Sequence, residues 1–344
     1  MADLFAPVQV GSIRLANRIV MAPMSRNRAD AGEAAHALTA KYYGQRAGAG
    51  LIVTEASPVS PQGRANRSAP GIYSDAQVAG WRLTTQAVHA KGGTIFLQLW
   101  HAGRISLASL QPDGAPPVAP SAVAAQGFAA PRALAAGEIP AVVAQFAHAA
   151  RNAKEAGFDG VEVHAANGYL IDEFLRDGTN RRGDAYGGPV ANRARFLLEV
   201  LDAVESVWDR GRIGVRLSPV NPYNDIRDSD PQRTFGEIAR MLGARGLAFL
   251  HTDESPGDGL DWAALRRCHR GVYVANGGYD REHAAAALES GHADLVSFGV
   301  LYLANPDLVQ RFRAGAPLNR ADRSTFYGGG ERGYTDYPSL EREE

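Results

Sequence analysis

Cysteine, lysine and long apolar runs are scarce in this sequence, and each scarcity excludes a class of protein. The single cysteine, Cys268, excludes an intramolecular disulfide framework and any zinc or iron–sulfur site that needs several thiolates. No run of about 18 apolar residues is present, so no membrane span is predicted. The first residues lack a charged segment followed by an apolar run, so no signal peptide is predicted either. We therefore expect a cytoplasmic protein without a metal site.

An excess of charge of either sign is also missing. The chain has 36 Lys and Arg residues against 37 Asp and Glu residues, a formal net charge of −1, and the charges are mixed along its length. Nothing resembles the basic footprint that binds nucleic acid or an anionic membrane. The short basic clusters Arg181-Arg182 and Arg266–Arg270 are more typical of solvated surfaces. We expect a small-molecule partner, and a monomer or homodimer.

Short apolar segments alternate with amphipathic stretches, which indicates an α/β fold with a parallel sheet and right-handed crossovers. Eight segments rich in Val, Ile and Leu have the length and composition of buried parallel strands. They are Arg18–Pro23, Leu51–Glu55, Thr94–Leu99, Gly160–His164, Ile213–Leu217, Leu247–Thr252, Val272–Ala275 and Leu295–Phe298. The helical patterns between them include Pro140–Ala156, Asn192–Asp209, Thr234–Ala244, Trp262–Arg270, Asp280–Ser290 and Asn305–Arg313.

The number of strand–helix units favours closure of the sheet into a barrel. The 344 residues suit either two domains or one (β/α)8 barrel of roughly 250 residues with insertions. A doubly wound sheet normally has a phosphate-binding G-x-G-x-x-G after its first strand, and no candidate strand is followed by one. We predict a single α/β domain over residues 1–344, a (β/α)8 TIM barrel.

Three segments supply the length beyond the barrel itself. Residues 4–16, ahead of the first strand, predict a short N-terminal hairpin that closes the bottom of the barrel. Residues 105–137, after the third strand, are rich in Ala and Pro without clear periodicity, which predicts a capping insertion or a lid over the barrel mouth. The tail, residues 324–344, is too aromatic for a floppy terminus, so we expect it to pack back on the barrel.

The carboxyl ends of the strands, where function collects in such barrels, are rich in polar residues and glycines. Glycines follow the last two strands, as Asn276-Gly277-Gly278 and as Gly299. Backbone N–H groups at such glycines can approach a phosphate, and the dipole of a following helix attracts it. Ordinary turn glycines are the alternative for either position alone. Their joint occurrence favours a phosphate site.

A His-Asn-Tyr cluster follows the fourth strand. His164 and Asn167 are three residues apart, and one helical turn there would aim both side chains at one point. Two such donors can hold a carbonyl oxygen and stabilise charge that develops on it. Tyr169 could then donate a proton to the same ligand. A structural histidine is the alternative interpretation.

Charged residues inside buried strands need partners, because burial of an unpaired charge is costly. For Arg216, an ion pair with a buried carboxylate and contact with an anionic ring edge are both open. Glu55 and Glu162 are interpreted as isolated strand carboxylates, so paired-carboxylate hydrolysis is not predicted. A lysine base at a strand end is not predicted either. The lysines of the chain lie on predicted helices or turns: Lys41, Lys91 and Lys154.

Several specific motifs occur in a defined order along nearly the whole chain. They are Leu4-Phe5, Asn17–Arg26 (NRIVMAPMSR), Tyr42–Glu55 (YYGQRAGAGLIVTE), Gln98–Arg104 (QLWHAGR), His164–Leu170 (HAANGYL), Asp184–Arg193 (DAYGGPVANR), Ala304–Leu308 (ANPDL) and the Tyr327-Gly-Gly-Gly tail. In this order they resemble the old yellow enzyme family. The tail and the first-strand motif are most similar to its branch of alkene and nitrate-ester reductases, typified by N-ethylmaleimide reductase. The missing cysteine cluster argues against the iron–sulfur dienoyl-CoA reductase branch.

The resemblance implies a flavoprotein that binds FMN noncovalently at the mouth of the barrel. The implied cofactor contacts are Pro23, Met24, Ser25, Ala56, Gln98, His164, Arg216, Asn276, Gly277, Gly278, Phe298, Gly299 and Val300. Within this set, Gln98 and Arg216 would serve the N1–C2 carbonyl edge of the ring, and Ser25 the C4 carbonyl. The glycines would cradle the phosphate. The implied substrate contacts are Trp100, His164, Asn167, Tyr169 and Tyr327.

The reaction that the resemblance implies is ping-pong reduction of an activated alkene by NADH or NADPH. Hydride would pass to N5 of FMN and then to the β-carbon of an enone or maleimide. His164 and Asn167 would polarise the carbonyl, and Tyr169 would protonate the α-carbon. Reduction of nitrate esters or nitroaromatics on the same scaffold is one alternative. A flavin-free, phosphate-binding lyase or isomerase is the alternative from another class.

Two positions depart from the family pattern. Ser25 stands where relatives usually have Thr or Cys, so the hydroxyl is kept but its rotamer is less fixed, and a modestly changed flavin potential is predicted. Val300 stands where many relatives have an arginine that meets the FMN phosphate. An apolar side chain cannot replace a guanidinium. Either backbone N–H groups hold the phosphate or another cation reaches it, and we predict weaker retention of FMN.

Overall fold

The strands of this computed structural model, which describes residues 3–255 and 259–340, form one closed barrel and two short accessory ladders. In chain order they are β1 (Val8–Val10), β2 (Ile13–Leu15), β3 (Ile19–Met21), β4 (Leu51–Pro58), β5 (Ile95–Trp100), β6 (Val118–Ala119), β7 (Arg132–Ala133), β8 (Gly160–His164), β9 (Ile213–Leu217), β10 (Phe249–Asp253), β11 (Tyr273–Asn276) and β12 (Leu295–Phe298). The barrel order is β3-β4-β5-β8-β9-β10-β11-β12, all parallel, with β12 pairing back to β3. The predicted TIM barrel is confirmed, and each predicted strand overlaps one of its eight.

The helices lie between the strands, and most longer ones begin at a polar cap. They are α1 (Ala37–Gly44), α2 (Asp75–His89), α3 (Ile139–Glu155), α4 (Leu170–Leu175), α5 (Val190–Arg193), α6 (Arg195–Glu205), α7 (Pro231–Gly243), α8 (Trp262–Cys268), α9 (Arg281–Glu289), α10 (Val300–Ala304) and α11 (Leu308–Ala314). Ser74 caps α2 in a capping box, and Asp230 and Asp280 cap α7 and α9. No described helix has the length and apolarity needed to cross a membrane.

Three predicted helices differ from the observed ones by three or more residues at a boundary. The helix predicted at Thr234–Ala244 begins earlier, at Pro231. The predicted helix Asn192–Asp209 is divided into α5 and α6 and ends earlier, at Glu205. The predicted helix Asn305–Arg313 begins only at Leu308. The physical reason is Pro306, because the residue before a proline is pushed out of the helical region, and Asn305 has φ −126° and ψ 88°.

The lower half of the barrel interior is an apolar layer that glycines make possible. Phe96 and Phe249 point inward, with ring centroids 5.8 Å apart. A Cβ on Gly160 would lie 2.3 Å from the Phe96 ring, and one on Gly214 would lie 2.2 Å from the Phe249 ring. Only glycine therefore leaves room for both rings. The antiparallel hairpin β1–β2 packs on this layer through Val10 and Leu15, as predicted for the barrel bottom.

The tail packs back on the barrel through two buried arginines. Arg26, directly after the first barrel strand, donates to the carbonyl oxygens of Phe326 (2.9 Å) and Gly333 (2.8 Å). Arg28 donates to Thr325 O at 2.9 Å. Tyr334 is fully buried, and its ring stacks on that of Tyr42 with a centroid distance of 4.1 Å. The described part of the tail therefore folds as predicted, whereas residues 341–344 lie outside the described residues.

The insertion at 105–137 lies beside the barrel mouth and not across it. Its strands β6 and β7 form a short parallel ladder, and Arg104 donates to the carbonyl oxygens of Val123 and Ala124, both at 3.2 Å. Ser106 Oγ donates to Arg64 O at 2.5 Å. None of the described residues of 105–137 lines the cavity at the strand ends. The insertion is thus a flanking cap, and the expectation of a lid over the mouth is not met.

Candidate active site

A cavity of about 420 Å³ opens at the carboxyl ends of the barrel strands. It brings together the following predicted site residues: Pro23, Met24, Ser25, Ala56, Gln98, Trp100, His164, Asn167, Tyr169, Val300 and Tyr327. A second cavity of about 380 Å³ contains Asn276, Gly277, Gly278, Phe298, Gly299 and Val300. Val300 borders both cavities, so they are neighbours. Every predicted site residue except Arg216 therefore lines one of the two.

The loop after the first barrel strand is held in place by Glu55 from the next strand. One oxygen of this carboxylate, Oε2, accepts the backbone N–H groups of Arg26 (2.9 Å) and Asn27 (3.3 Å). Burial raises the pKa of Glu55 to about 7, even though these hydrogen bonds oppose the shift. Glu55 is therefore not the isolated carboxylate expected from the sequence. Its contacts fix the backbone that presents Ser25 to the cavity.

The turn after β8 presents His164 and Asn167 to the cavity without the helical turn that their spacing suggested. Asn167 has φ 58°, in the left-handed region, and Gly168 follows with φ 74°. Ser218 Oγ accepts the Asn167 N–H at 2.7 Å, and Asn224 Nδ2 donates to the Asn167 carbonyl oxygen at 2.7 Å. These contacts hold a strained turn, and both side chains still reach the same space.

Several polar atoms at this point are buried without a partner. Trp100 Nε1, His164 Nδ1 and Asn167 Oδ1 make no hydrogen bond within the described part of the chain. Burial lowers the pKa of His164 well below its usual range, with further lowering by the charges of Arg216 and His251, so its imidazole is neutral. Unpaired buried polar groups are costly unless a ligand satisfies them. Their convergence on a cavity therefore indicates a ligand with polar atoms.

Tyr169 stands between the other aromatic residues of the cavity. Its ring is perpendicular to Trp100 at a centroid distance of 5.0 Å and tilted against His164 at 5.3 Å. Burial raises the pKa of Tyr169 to about 12, while a hydrogen bond with the Asn224 side chain partly opposes the shift. The phenol therefore stays protonated at neutral pH and can act as a proton donor.

The upper half of the barrel interior is a hydrogen-bonded network directly below the cavity. Gln98 Nε2 donates to Glu162 Oε1 at 2.7 Å, so Glu162 is not isolated as the sequence had suggested. Arg216 Nη2 donates to Asn276 Oδ1 at 2.8 Å and lies 3.8 Å from the Asp253 carboxylate. The ion-pair interpretation of Arg216 is therefore supported, with Asp253 as the partner, whereas its contact with an anionic ring edge stays a prediction. Its side chain is only 6% exposed and lies beneath the cavities without lining either.

The second cavity is formed by the glycine turns after β11 and β12. Gly277 has φ 136°, and a Cβ there would lie 2.7 Å from the backbone carbon of Glu254, so no other residue fits. Gly278 has φ 82° and faces open space. Among the described residues that line this cavity there is no lysine or arginine, and Asp280 is acidic. The backbone can approach an anion here, but no side-chain cation accompanies it.

Some lining residues were not predicted from the sequence. Phe326 is the immediate neighbour of the predicted Tyr327, Asn27 lies two residues after the predicted Ser25, and Tyr223 reaches the cavity from the loop after β9. For the first two, adjacency to predicted site residues was the available signal. For Tyr223, which is 56% exposed, the sequence contains no signal that indicates a site residue.

Comparison with known proteins places this chain in a family. A sequence model of the NADH:flavin oxidoreductase / NADH oxidase family matches residues 3–319. The chain belongs to this family. A "probable flavin mononucleotide-dependent alkene reductase" of Leishmania infantum is 47% identical, over 98% of this chain and 97% of that protein. The "12-oxophytodienoate reductase 7" of Oryza sativa subsp. japonica is 44% identical, over 98% of this chain and 95% of that protein.

Solved structures of this flavin oxidoreductase family agree with the barrel. Morphinone reductase in complex with tetrahydroNAD superposes with a TM-score of 0.95 at 48% identity, covering 98% of both chains. An old yellow enzyme homologue from Zymomonas mobilis gives a TM-score of 0.95 at 44% identity, over 98% of this chain and 99% of that one. The predicted family, fold and class of enzyme, an NAD(P)H-dependent FMN ene-reductase, are thereby confirmed. The flavin-free lyase or isomerase does not fit this membership.

The residues of the site fit FMN in size and chemistry. Two neighbouring cavities, one floored by Gln98 and one formed by glycine turns, suit a planar ring joined to a phosphate. In the cavity at the strand ends, the unpaired atoms of Trp100, His164 and Asn167 leave donors and acceptors for a further ligand. The role of each residue stays a prediction.

Proposed function

We propose that this enzyme reduces the C=C bond of an alkene conjugated to a carbonyl, with NADH or NADPH as the reductant in a ping-pong cycle. FMN, when bound, supplies the hydride chemistry, accepting hydride from the nicotinamide and passing it to the alkene. The observation that carries the proposal is the convergence of His164, Asn167 and Tyr169 on one cavity, where His164 Nδ1 and Asn167 Oδ1 are buried without a partner in the described chain.

Gln98 and Arg216 would stabilise negative charge at the N1–C2 edge of the FMN ring. The amide of Gln98 lines the cavity and is oriented by Glu162 at 2.7 Å. The guanidinium of Arg216 is held against Asn276 at 2.8 Å, at the border of the second cavity. Both groups are fixed before the reaction, so little reorganisation accompanies the development of charge. Ser25, whose backbone is fixed through Glu55, would donate to the C4 carbonyl.

His164 and Asn167 would bind the electron-withdrawing oxygen of the alkene substrate. Because His164 is neutral, one of its ring nitrogens donates and polarises the oxygen without placing a full charge in the site. The amide of Asn167 provides the second donor, held by the turn that Ser218 and Asn224 support. Removal of one donor of such a pair typically costs about 10² to 10³ in rate.

Tyr169 would deliver the proton to the α-carbon. Its pKa of about 12 keeps the phenol protonated at working pH, while a developing carbanion is far more basic. Its ring packs against both Trp100 and His164, so the side chain has a defined position at the cavity. The cavity at the strand ends would serve the nicotinamide and the alkene in turn, as a ping-pong cycle requires.

Reoxidation of the reduced holoenzyme tests the proposal directly. The FMN-loaded protein is reduced with one equivalent of NADH or NADPH without oxygen and mixed with cyclohexenone, N-ethylmaleimide or a nitrate ester in a stopped-flow instrument. We expect rapid reoxidation by the enone and the maleimide, with saturated products. Reoxidation by the nitrate ester alone would overturn alkene reduction in favour of the second reaction.

A further inference from the structure

A buried histidine occupies the centre of the polar network below the cavity, and no role has been assigned to it above. His251 lies on β10 and is fully buried. Its Nδ1 is 2.8 Å from Glu162 Oε2, and its Nε2 is 2.8 Å from Ser297 Oγ. Arg216 Nη1 approaches Nε2 of the same ring at 2.7 Å. The imidazole on β10 therefore contacts side chains from three other barrel strands, β8, β9 and β12.

This imidazole is linked to both residues assigned to the FMN ring edge. Glu162 accepts from Gln98 with one carboxylate oxygen and contacts His251 with the other. Arg216 contacts His251 with one guanidinium nitrogen and Asn276 with the other. A change of charge on the ring edge is therefore transmitted to His251 through one hydrogen bond on each side.

The charges around His251 are out of balance when its ring is neutral. The titratable groups that face it are Glu162 and the neutral His164 from β8, Arg216 from β9 and Asp253 from its own strand β10. Contacts from β5, β11 and β12 come from the uncharged side chains of Gln98, Asn276 and Ser297. One cation thus stands against two carboxylates. A proton on His251 would bring the cluster to neutrality.

Burial, followed by the charge of Arg216, lowers the pKa of His251, against the opposing effect of Glu162. The His251 imidazole is therefore neutral as long as the flavin edge carries no charge. A negative charge added at the flavin edge attracts the Arg216 guanidinium and offsets part of its positive charge. Arg216 then opposes protonation of His251 less strongly. The added charge also attracts the proton directly, and interactions are strong where water is excluded.

We propose that His251 is a positioning residue for the FMN ring edge, and that it binds one proton when the bound flavin is reduced. Hydride transfer would add two electrons and one proton to the bound flavin and leave it with a single negative charge. A second proton, from solvent, binds His251 Nε2 and is donated to Ser297 Oγ, while the Arg216 N–H that faces this nitrogen turns to the negative flavin edge, so the cluster and the flavin together keep their charge. The inference rests on the ring placement in the proposed function.

The test is the pH dependence of the flavin potential in the FMN-loaded protein. For a two-electron couple, each added proton contributes about 30 mV per pH unit. The potential is measured from about pH 5 to about pH 9. Between the pKa of His251 in the oxidised protein and its higher pKa in the reduced protein, the potential of the wild type should fall more steeply with pH than that of His251→Gln, by this amount. Equal slopes of flavin potential against pH in the two proteins would overturn the proposal.

A second readout can be made on the wild-type protein, whether or not His251→Gln folds. The chain has 9 histidines, and nitrogen NMR of labelled protein reports the protonation of each. The His251 signals, assigned from the variant or from Ser297→Ala, should change from neutral to cationic on reduction at one pH. Unchanged signals would overturn the proposal. His269→Gln, another buried histidine, serves as the matched control and should keep the wild-type slope.

The outcomes also distinguish this inference from the ring placement on which it rests. Arg216→Met removes the cation at the ring edge and should lower the flavin potential. An unchanged potential in this variant would contradict the placement of the ring, and with it both proposals. A lowered potential together with equal slopes for His251→Gln and the wild type would leave the placement intact and refute only the role of His251.

Discussion

Replacement of Val300 by arginine should tighten the binding of FMN. Val300 is the first residue of α10, directly after Gly299, and it borders both cavities of the site. Its side chain is 52% exposed, so a longer side chain can extend without entering the core. The glycine cavity has no lysine or arginine among its described lining residues, and Asp280 repels an anion there. A phosphate at this position would therefore be held without a cation from the described lining side chains.

The expected gain follows from the exposure of the site. A hydrogen bond to a charged group contributes about 1.5–3 kcal/mol when it is well shielded. An exposed ion pair contributes only about 0.2–1 kcal/mol, because water and salt screen it. Position 300 is half-exposed, so a value of about 1–2 kcal/mol is reasonable. This corresponds to a dissociation constant lower by roughly 5- to 30-fold.

Quenching of flavin fluorescence on addition of apoprotein measures this constant. Val300→Gln is the matched control, because it adds length and hydrogen-bonding capacity without charge. The arginine variant should gain affinity for FMN and lose most of the gain at high salt. Riboflavin, which lacks the phosphate, should bind both variants equally. An equal gain for riboflavin, or equal FMN affinity in the two variants, would refute the reasoning.

Three further changes test other parts of the site. Tyr169→Phe should slow alkene reduction by about 10²- to 10⁴-fold and leave reduction by NAD(P)H nearly unchanged, because only the former needs the proton; stopped-flow measurement of each half-reaction separates them. Ser25→Ala should shift the flavin potential by about 10–30 mV, the equivalent of one hydrogen bond, as measured by a dye-linked titration. Tyr334→Ala should lower the free energy of unfolding by about 3–5 kcal/mol in urea, because a fully buried ring that stacks on Tyr42 is lost.

Each of these changes has its own control. Both half-reactions slowed alike would assign Tyr169 a structural role instead of proton transfer. Ser25→Thr keeps the hydroxyl and should keep the potential, and an alanine variant with wild-type potential would remove Ser25 from the flavin contacts. Tyr334→Phe should retain most of the stability. A loss below about 1 kcal/mol in the alanine variant would mean that the tail is not part of the core.

Much of the barrel follows from local sequence, because strand and helix formation depend on the periodicity of apolar residues. The eight strands were predictable, since each is a short buried run between turns. The site residues at the strand ends were predictable for a related reason, because parallel strands bring all their carboxyl ends to one rim. Residues close in sequence, such as Ser25 and Asn27, or Phe326 and Tyr327, share the rim and reach one cavity.

Only the tertiary structure decided which distant side chains meet inside the barrel. Glu162 and His251 are 89 residues apart, and their contact depends on the register of β8, β9 and β10 and on the level at which each side chain points inward. The same holds for Arg26, which reaches tail carbonyls about 300 residues away. No local pattern encodes such distances. The sequence by itself therefore determined the barrel and its rim, and the closure of the barrel determined the network beneath them.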